Sequence, residues 1–221
     1  MTTIPATIVD DFLENPNQIE EWALSLEYNP DPEGNWPGKR SKNLKELNFP
    51  FFNYLKEKVI SLFYDTQPLH SDCDMFFQLI ENYTDTGWIH QDFGNFASIL
   101  YLSNPKENCG TTLYKLKKFF PFVNKEEYNF RLKRLEHHQK GFINKTDSNL
   151  KKTYEKNNFK KILEVPSKFN RLFCFSSEHF HSANNFSSLN SPLRLTLFMN
   201  FYNISHIRPF PIIRSKQTLM I

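Results

Sequence analysis

The chain has 221 residues, of which 39% are hydrophobic and 16% aromatic, with 23 Phe and a net charge of +3. That much apolar side chain buries a core and excludes disorder over most of the length, while so small a charge excludes a wholesale nucleic-acid binder. No apolar run reaches about 18 residues, which excludes a membrane-spanning helix.

Met1 to Asp11 has neither a basic n-region nor an apolar h-region and reads as no signal peptide. Three cysteines, Cys73, Cys109 and Cys174, are odd in number and far apart. They fit reduced thiols and an expected cytoplasmic location better than a disulfide framework or a zinc site.

Thr7 to Asp11 reads as a short strand entering a helix over Asn15 to Leu26. Pro16 stands at the helix start, and Ile19, Trp22, Ala23 and Leu26 fall at helical spacing. Residues 27–43, rich in Pro, Gly and Asn, read as loop. A second amphipathic helix is expected over Phe51 to Tyr64, with Phe52, Leu55, Val59, Leu62 and Phe63 on one face. Short aromatic or branched runs then predict strands at Met75 to Ile80, Phe96 to Leu102, Thr111 to Tyr114, Arg171 to Phe175 and Leu193 to Tyr202. Helices do not alternate with these runs, so a parallel sheet is disfavoured. The expected fold is mostly β with flanking helices, an antiparallel jelly roll or barrel fronted by two helices.

One segment differs in composition. Lys115 to Lys161 holds 12 Lys and 2 Arg against 5 acidic residues, a charge of +9, which leaves −6 for the rest of a chain at +3. It reads as a helical insertion between two strands, its lysines forming a solvated cap or a surface that attracts anions. The expected organisation is a single domain over 1–221. Residues 1–74 give N-terminal helical support, 75–114 and 162–214 a jelly-roll core, and 115–161 the Lys-rich insertion.

Seven histidines are present. His137 and His138 lie in the insertion and His206 near the C-terminus, and all three read as surface. Two His-x-Asp pairs remain, His70-Ser71-Asp72 and His90-Gln91-Asp92. On an extended segment residues i and i+2 face the same side, so each pair can present a nitrogen and an oxygen to one ion. A second histidine from a distant strand completes a 2-His-1-carboxylate face, which leaves open positions on a non-haem Fe(II). His90 has the better context. It follows a predicted strand and turn and precedes Gly94 and the Phe96 strand. Downstream lie Cys109-Gly110-Thr111-Thr112-Leu113-Tyr114, His179-Phe180-His181-Ser182, and Arg194 inside an apolar strand. A lone arginine there is costly to bury unless it meets an anion, or else it faces solvent at a sheet edge.

The order His90-x-Asp92, Tyr101-Leu102-Ser103, Gly110-Thr111-Thr112-Leu113, His181, Arg194 resembles the 2-oxoglutarate/Fe(II)-dependent dioxygenase superfamily, over about residues 75 to 203. The nearest branch is its small prolyl-hydroxylase-like one. Asn35-Trp36-Pro37-Gly38-Lys39-Arg40-Ser41 is similar to a Tyr-Pro-Gly-x-Arg-Ser loop of bacterial and phage proteins of this type.

The resemblance implies that His90, Asp92 and His181 are iron ligands, with His179 the rival for the third position. It implies that Arg194 pairs with the distal carboxylate of 2-oxoglutarate, which a guanidinium fork suits. Tyr101 and Thr196 would assist there, and Tyr83 matches a tyrosine ahead of the His-x-Asp, although the segment is shorter here. Gly110-Thr111 replaces the usual Gly-Gly pair. No catalytic group beyond the metal ligands is implied.

The cofactors implied are Fe(II) and 2-oxoglutarate, the latter as co-substrate. The activity implied is hydroxylation of an amino-acid, peptidyl or small-metabolite C–H bond. The expected partners are a small-molecule or peptidyl substrate and no membrane. Nucleic acid is disfavoured, and a homodimer is left open. The alternatives are a non-oxidative metal-binding cupin-type jelly roll and a nucleic-acid demethylase of the same superfamily.

Overall fold

The computed structural model describes residues 5–30, 38–64, 69–80, 89–103, 109–117, 159–184 and 193–206. Tyr83, Trp36, Pro37, His137, His138 and most of the Lys-rich segment (118–158) lie outside the described residues, as does the stretch beyond 206.

Among the described residues, three helices precede the main strands. α1 (Pro16–Leu24) starts on Pro16, whose fixed φ suits a first helical turn. α2 (Leu44–Leu47) is a single turn capped by the Asn43 side chain, which accepts from the Lys45 N–H. α3 (Phe49–Ile60) is capped by the Asn48 side chain, which accepts from the Phe51 N–H, and buries Phe52, Leu55, Val59 and Ile60. The predicted loop 27–43 contains two short edge strands, β2 (Asn29–Pro30) and β3 (Lys39–Arg40). Two residues carry no readable period, so only the pairing reveals them.

The remaining strands are β1 (Thr7–Val9), β4 (Leu69–Ile80), β5 (Phe96–Tyr101), β6 (Thr111–Leu116), β7 (Phe159–Val165), β8 (Arg171–Ser176), β9 (Phe180–Ala183) and β10 (Arg194–His206). They form a seven-stranded sheet, β1-β8-β5-β10-β4-β3-β2, and a three-stranded sheet, β7-β6-β9. Every pairing among the described residues is antiparallel. The fold is mostly β with flanking helices, as the sequence predicts.

Some boundaries differ from the sequence reading. β4 starts at Leu69, so His70 and Asp72 lie inside a strand and not ahead of it. Lys115 and Leu116 belong to β6, and Phe159 to Lys161 to β7, so the segment between the paired strands is shorter than 115–161. β7 escapes sequence reading because its middle residues are exposed and include Lys160, Lys161 and Glu164. It is an edge strand, where charge guards unpaired backbone. β9 has four residues, too few for alternation to register.

Alternation along the large sheet separates two cores. Leu195, Leu197, Met199 and Phe201 of β10 face α1 and α3, together with Met75, Phe77, Phe96 and Leu100. Phe96 and Phe201 stack with centroids 4.4 Å apart, and Trp22 meets Phe77 edge-on at 5.5 Å. The opposite face carries Ala97, Ile99, Tyr101, Phe173 and Phe175, which pack on Leu113 and Val165 of the small sheet. This second core is smaller, and its polar margin forms the site described below. Gly110 is required where the small sheet turns, because a Cβ there would stand 1.8 Å from the Val165 carbonyl oxygen.

Asn170 joins the N-terminal segment to the turn before β8. It adopts φ +61°, a left-handed conformation that Asn tolerates. Its side chain accepts from the Leu13 N–H and donates to the Leu13 carbonyl, each at 2.8 Å and buried. Asn170→Gly retains the backbone angle but orphans both Leu13 groups, so about 2 kcal/mol of stability should be lost. Asn170→Ala should lose roughly 1 kcal/mol more through the left-handed strain. Urea denaturation of the two variants checks both the loss and its order.

Candidate metal centre

Ile89 is buried beside the small sheet, and His90 follows it in an isolated antiparallel bridge with His181 of β9. The His90 N–H donates to the His181 carbonyl at 2.9 Å, and the His181 N–H to the His90 carbonyl at 2.8 Å. This reciprocal pair sets the two rings with centroids 4.3 Å apart. Asp92, two residues on, turns back between them. Its Oδ1 is 3.6 Å from His90 Nε2 and its Oδ2 is 3.3 Å from His181 Nε2. The chain then leaves through Gly94, at φ +119°, packed against the Phe201 carbonyl where a Cβ would come within 2.7 Å.

His90, Asp92 and His181 thus present one ligand atom each, all within 4.8 Å of one another. Two details fit this trio to a metal. Asp92 Oδ2 is buried yet has no hydrogen-bond partner among the described residues, its approach to His181 being a close contact of poor geometry. His181 Nδ1 lies 3.1 Å from the His179 carbonyl, and donation there leaves the Nε2 lone pair turned toward Asp92. Phe175 packs on the His181 ring, centroids 4.6 Å apart, and holds it in place. Burial alone would raise the Asp92 carboxyl, but while both imidazoles are protonated the charge and contact of His181, then the charges of His90 and Arg40, hold it well below the usual carboxylate range; the neutral imidazoles that a metal requires would leave that role to the ion. Two imidazoles and one carboxylate form the donor set that suits a first-row divalent metal.

Of the other described histidines, His70 and His179 stand apart from the trio. His70 and Asp72 are 3.8 Å from each other, but their side chains are 74% and 42% exposed, and Asp72 also accepts from Asn203 Nδ2. His179 sits in the turn before β9. Its backbone carbonyl orients His181, and its own imidazole is not among the three grouped ligands.

Arg194 opens β10 and is buried, with 5% of its surface exposed, on the face that carries the smaller core. Nε donates to the Cys109 carbonyl at 2.8 Å, and Nη1 is 3.5 Å from Thr196 Oγ1. The guanidinium carbon lies 5.7 Å from the Tyr101 ring centroid. Burial lowers the guanidinium from its ordinary value, as desolvation does for any buried cation. Burial also raises the Tyr101 phenol, against the pull of the Arg194 charge. The phenol therefore stays protonated at neutral pH, and its Oη is 2.8 Å from Thr111 Oγ1. Sequence reasoning missed Thr111 as the partner that ties Tyr101 to the small sheet. It met Arg40 only within the loop resemblance and did not single out Gln78, which lies opposite both Arg40 and Thr196.

No curated protein is similar in sequence. Among solved structures, HygX from Streptomyces hygroscopicus with nickel and 2-oxoglutarate bound is similar, with a TM-score of 0.56 and 12% identity over 91% of this chain and 83% of that one. EvdO2 from Micromonospora carbonacea var. aurantiaca, complexed with 2-oxoglutarate, gives 0.50 and 9% identity over 94% and 90%. A prolyl hydroxylase from Trichoplax adhaerens, in complex with a hypoxia inducible factor peptide fragment, gives 0.50 and 12% identity over 89% and 83%. At these identities the likeness is one of fold, and the chain has the jelly-roll fold of the 2-oxoglutarate/Fe(II) oxygenases. The family described as "Family of unknown function (DUF6445)" matches residues 2–192, and the chain belongs to it.

Proposed function

We propose that the protein is an Fe(II)- and 2-oxoglutarate-dependent dioxygenase that hydroxylates an amino-acid, peptidyl or small-metabolite C–H bond. The observation that carries this reading is the pairing of two sites on one fold. A His-Asp-His trio has its ligand atoms within 4.8 Å of one another. A buried arginine, Arg194, flanked by Thr196 and Tyr101, lies on the face of the large sheet that meets the small sheet. A metal-binding jelly roll without oxidation needs the trio alone.

His90 and His181 would hold the metal through Nε2, and Asp92 through its carboxylate. When bound, Fe(II) with 2-oxoglutarate and O2 supplies the oxidising power, and the chain supplies placement. Arg194 would fork onto the distal carboxylate of 2-oxoglutarate, with Thr196 holding the guanidinium and the Tyr101 hydroxyl adding a donor. His179 would keep the His181 ring in the tautomer that leaves Nε2 free. Phe173, Phe175, Ile99 and Ala97 would keep the pocket floor dry, so that charge interactions inside it are weakly screened.

The first test is metal binding. His181→Ala should weaken Mn(II) affinity by roughly a hundredfold or more, beyond the 10- to 100-fold typical of losing an outer partner. His70→Ala, on the exposed pair, should leave the affinity unchanged. Titration followed by the paramagnetic resonance of free Mn(II) reads both, and equal affinities would remove the proposed ligand set.

The second test is co-substrate use. The wild-type protein should release succinate from 2-oxoglutarate only with Fe(II), and chelation should stop it. Arg194→Leu should raise the KM for 2-oxoglutarate by at least tenfold, because each charged hydrogen bond lost is worth roughly 1.5–3 kcal/mol. Metal affinity should survive, since Arg194 is not among the grouped ligands. Unchanged 2-oxoglutarate kinetics in this variant would exclude the co-substrate assignment.

A further inference from the structure

A buried polar atom without a hydrogen-bond partner is costly, and folded chains keep few of them. Among the described residues, one such atom is Asp92 Oδ2, which the proposed metal explains. Another is Asn200 Oδ1, and neither the proposed metal site nor the proposed co-substrate site uses it.

Asn200 lies in the half of β10 that approaches the trio. Alternation from Arg194 and Thr196 puts it on the face that meets the small sheet. Directly opposite it on β5 is Ala97, and opposite Ala97 on β8 is Phe175, whose ring packs on His181. Gly94, two residues past Asp92, lies close by, and a Cβ there would stand 3.2 Å from Asn200 Oδ1. Asn200 is thus flanked by the row that braces one proposed ligand and by the arc that carries the other two.

Neither residue opposite Asn200 supplies a donor. Ala97 has an apolar side chain. Asp74, opposite on β4, is acceptor-only when ionised. Its two oxygens already receive Asn43 Nδ2 at 2.9 Å and Tyr202 Oη at 3.1 Å. A side chain that only filled this space would do better as leucine, which has similar volume and no acceptor to desolvate. An amide kept against local packing preference marks functional surface.

We propose that Asn200 is a substrate-binding residue whose Oδ1 accepts a hydrogen bond from an N–H or O–H group of the substrate. This narrows the substrate class to alcohols, amines and amides whose donor lies a few bonds from the reacting C–H. The proposal rests on the oxygenase reading and adds the substrate class to it.

The test has two arms, and the first needs no substrate. Asn200→Leu should unfold at the same urea concentration as the wild type or a higher one. Its Mn(II) affinity should be retained, because Asn200 is not among the grouped ligands. A lowered urea midpoint would mean that the amide is already satisfied inside the fold, and a lost Mn(II) affinity that it serves the metal. Either result would overturn the proposal.

The second arm is calorimetric and uses the full chain loaded with Mn(II) and 2-oxoglutarate. The panel comprises the free L-amino acids, their N-acetyl methylamides, monosaccharides and amino sugars. The tightest binder is compared with analogues in which each donor is replaced in turn by a group of similar size that cannot donate. Fluorine replaces hydroxyl, ester oxygen replaces amide N–H, and methyl replaces ammonium. The wild-type protein should bind the parent roughly 5- to 100-fold more tightly than one of these analogues, the range expected when a buried acceptor loses its donor. Asn200→Leu should bind that pair equally, and Asn200→Asp, which keeps an acceptor, should retain part of the difference. Binding of no panel member, equal binding of the parent and all its analogues, or a difference that survives in Asn200→Leu would overturn the proposal. Succinate release is measured separately with Fe(II). Its absence in the wild type would remove the oxygenase reading, while the Asn200-dependent difference, read without turnover, is judged on its own.

Discussion

Two backbone hydrogen bonds, exchanged between His90 and His181 at 2.9 and 2.8 Å, govern the geometry of the site. The residues they join are 91 apart in the chain and belong to different parts of the fold. Metal ligands must lie within about 0.2 Å of their ideal distances, a tolerance that two independently placed segments would not meet. The bridge makes the two imidazoles neighbours on one small ladder, so the placement of each is inherited from the other. Asp92 then needs only the short arc from His90 to reach the space between them.

That ladder is in turn fastened to the large sheet. β9 pairs with β6 through Thr111 to Tyr114, and Thr111 meets the Tyr101 hydroxyl across the interior at 2.8 Å. Tyr101 is opposite Thr196, which adjoins Arg194. A continuous path of backbone pairing and one buried hydroxyl contact therefore runs from the trio to the arginine. The spacing between the two is set by secondary structure, which holds position better than flexible loops.

Much of this was legible in the sequence, and the illegible parts have physical causes. The i, i+2 spacing of His90 with Asp92 and of Arg194 with Thr196 reports a shared face directly, because extended chain has a period of two. The same rule cannot separate His179 from His181, since both satisfy it. The difference arises because His179 lies in a turn before β9 begins, where its carbonyl and not its ring serves the site. β5 is buried along its whole length, so no alternation marks the face on which Tyr101 lies. Arg40 lies on a two-residue strand and shows no period, and its place emerges only from the register with Gln78.

The two faces of the large sheet differ in a way that hydrophobic burial alone does not require. The face toward the helices is lined by Phe, Leu and Met, each worth roughly 1.5–3 kcal/mol when buried. The opposite face places Arg194, Thr196, Gln78 and Tyr101 in the interior, where apolar residues of similar volume would often stabilise more. The Cys109 carbonyl and Thr196 hydroxyl partly solvate the Arg194 charge, and the Tyr101 ring lies near it. Such a departure from local packing preference marks functional surface. The apolar face supplies the stability, and the polar face gives up some of it to hold Arg194 in the interior, as the co-substrate role proposed for that residue would require.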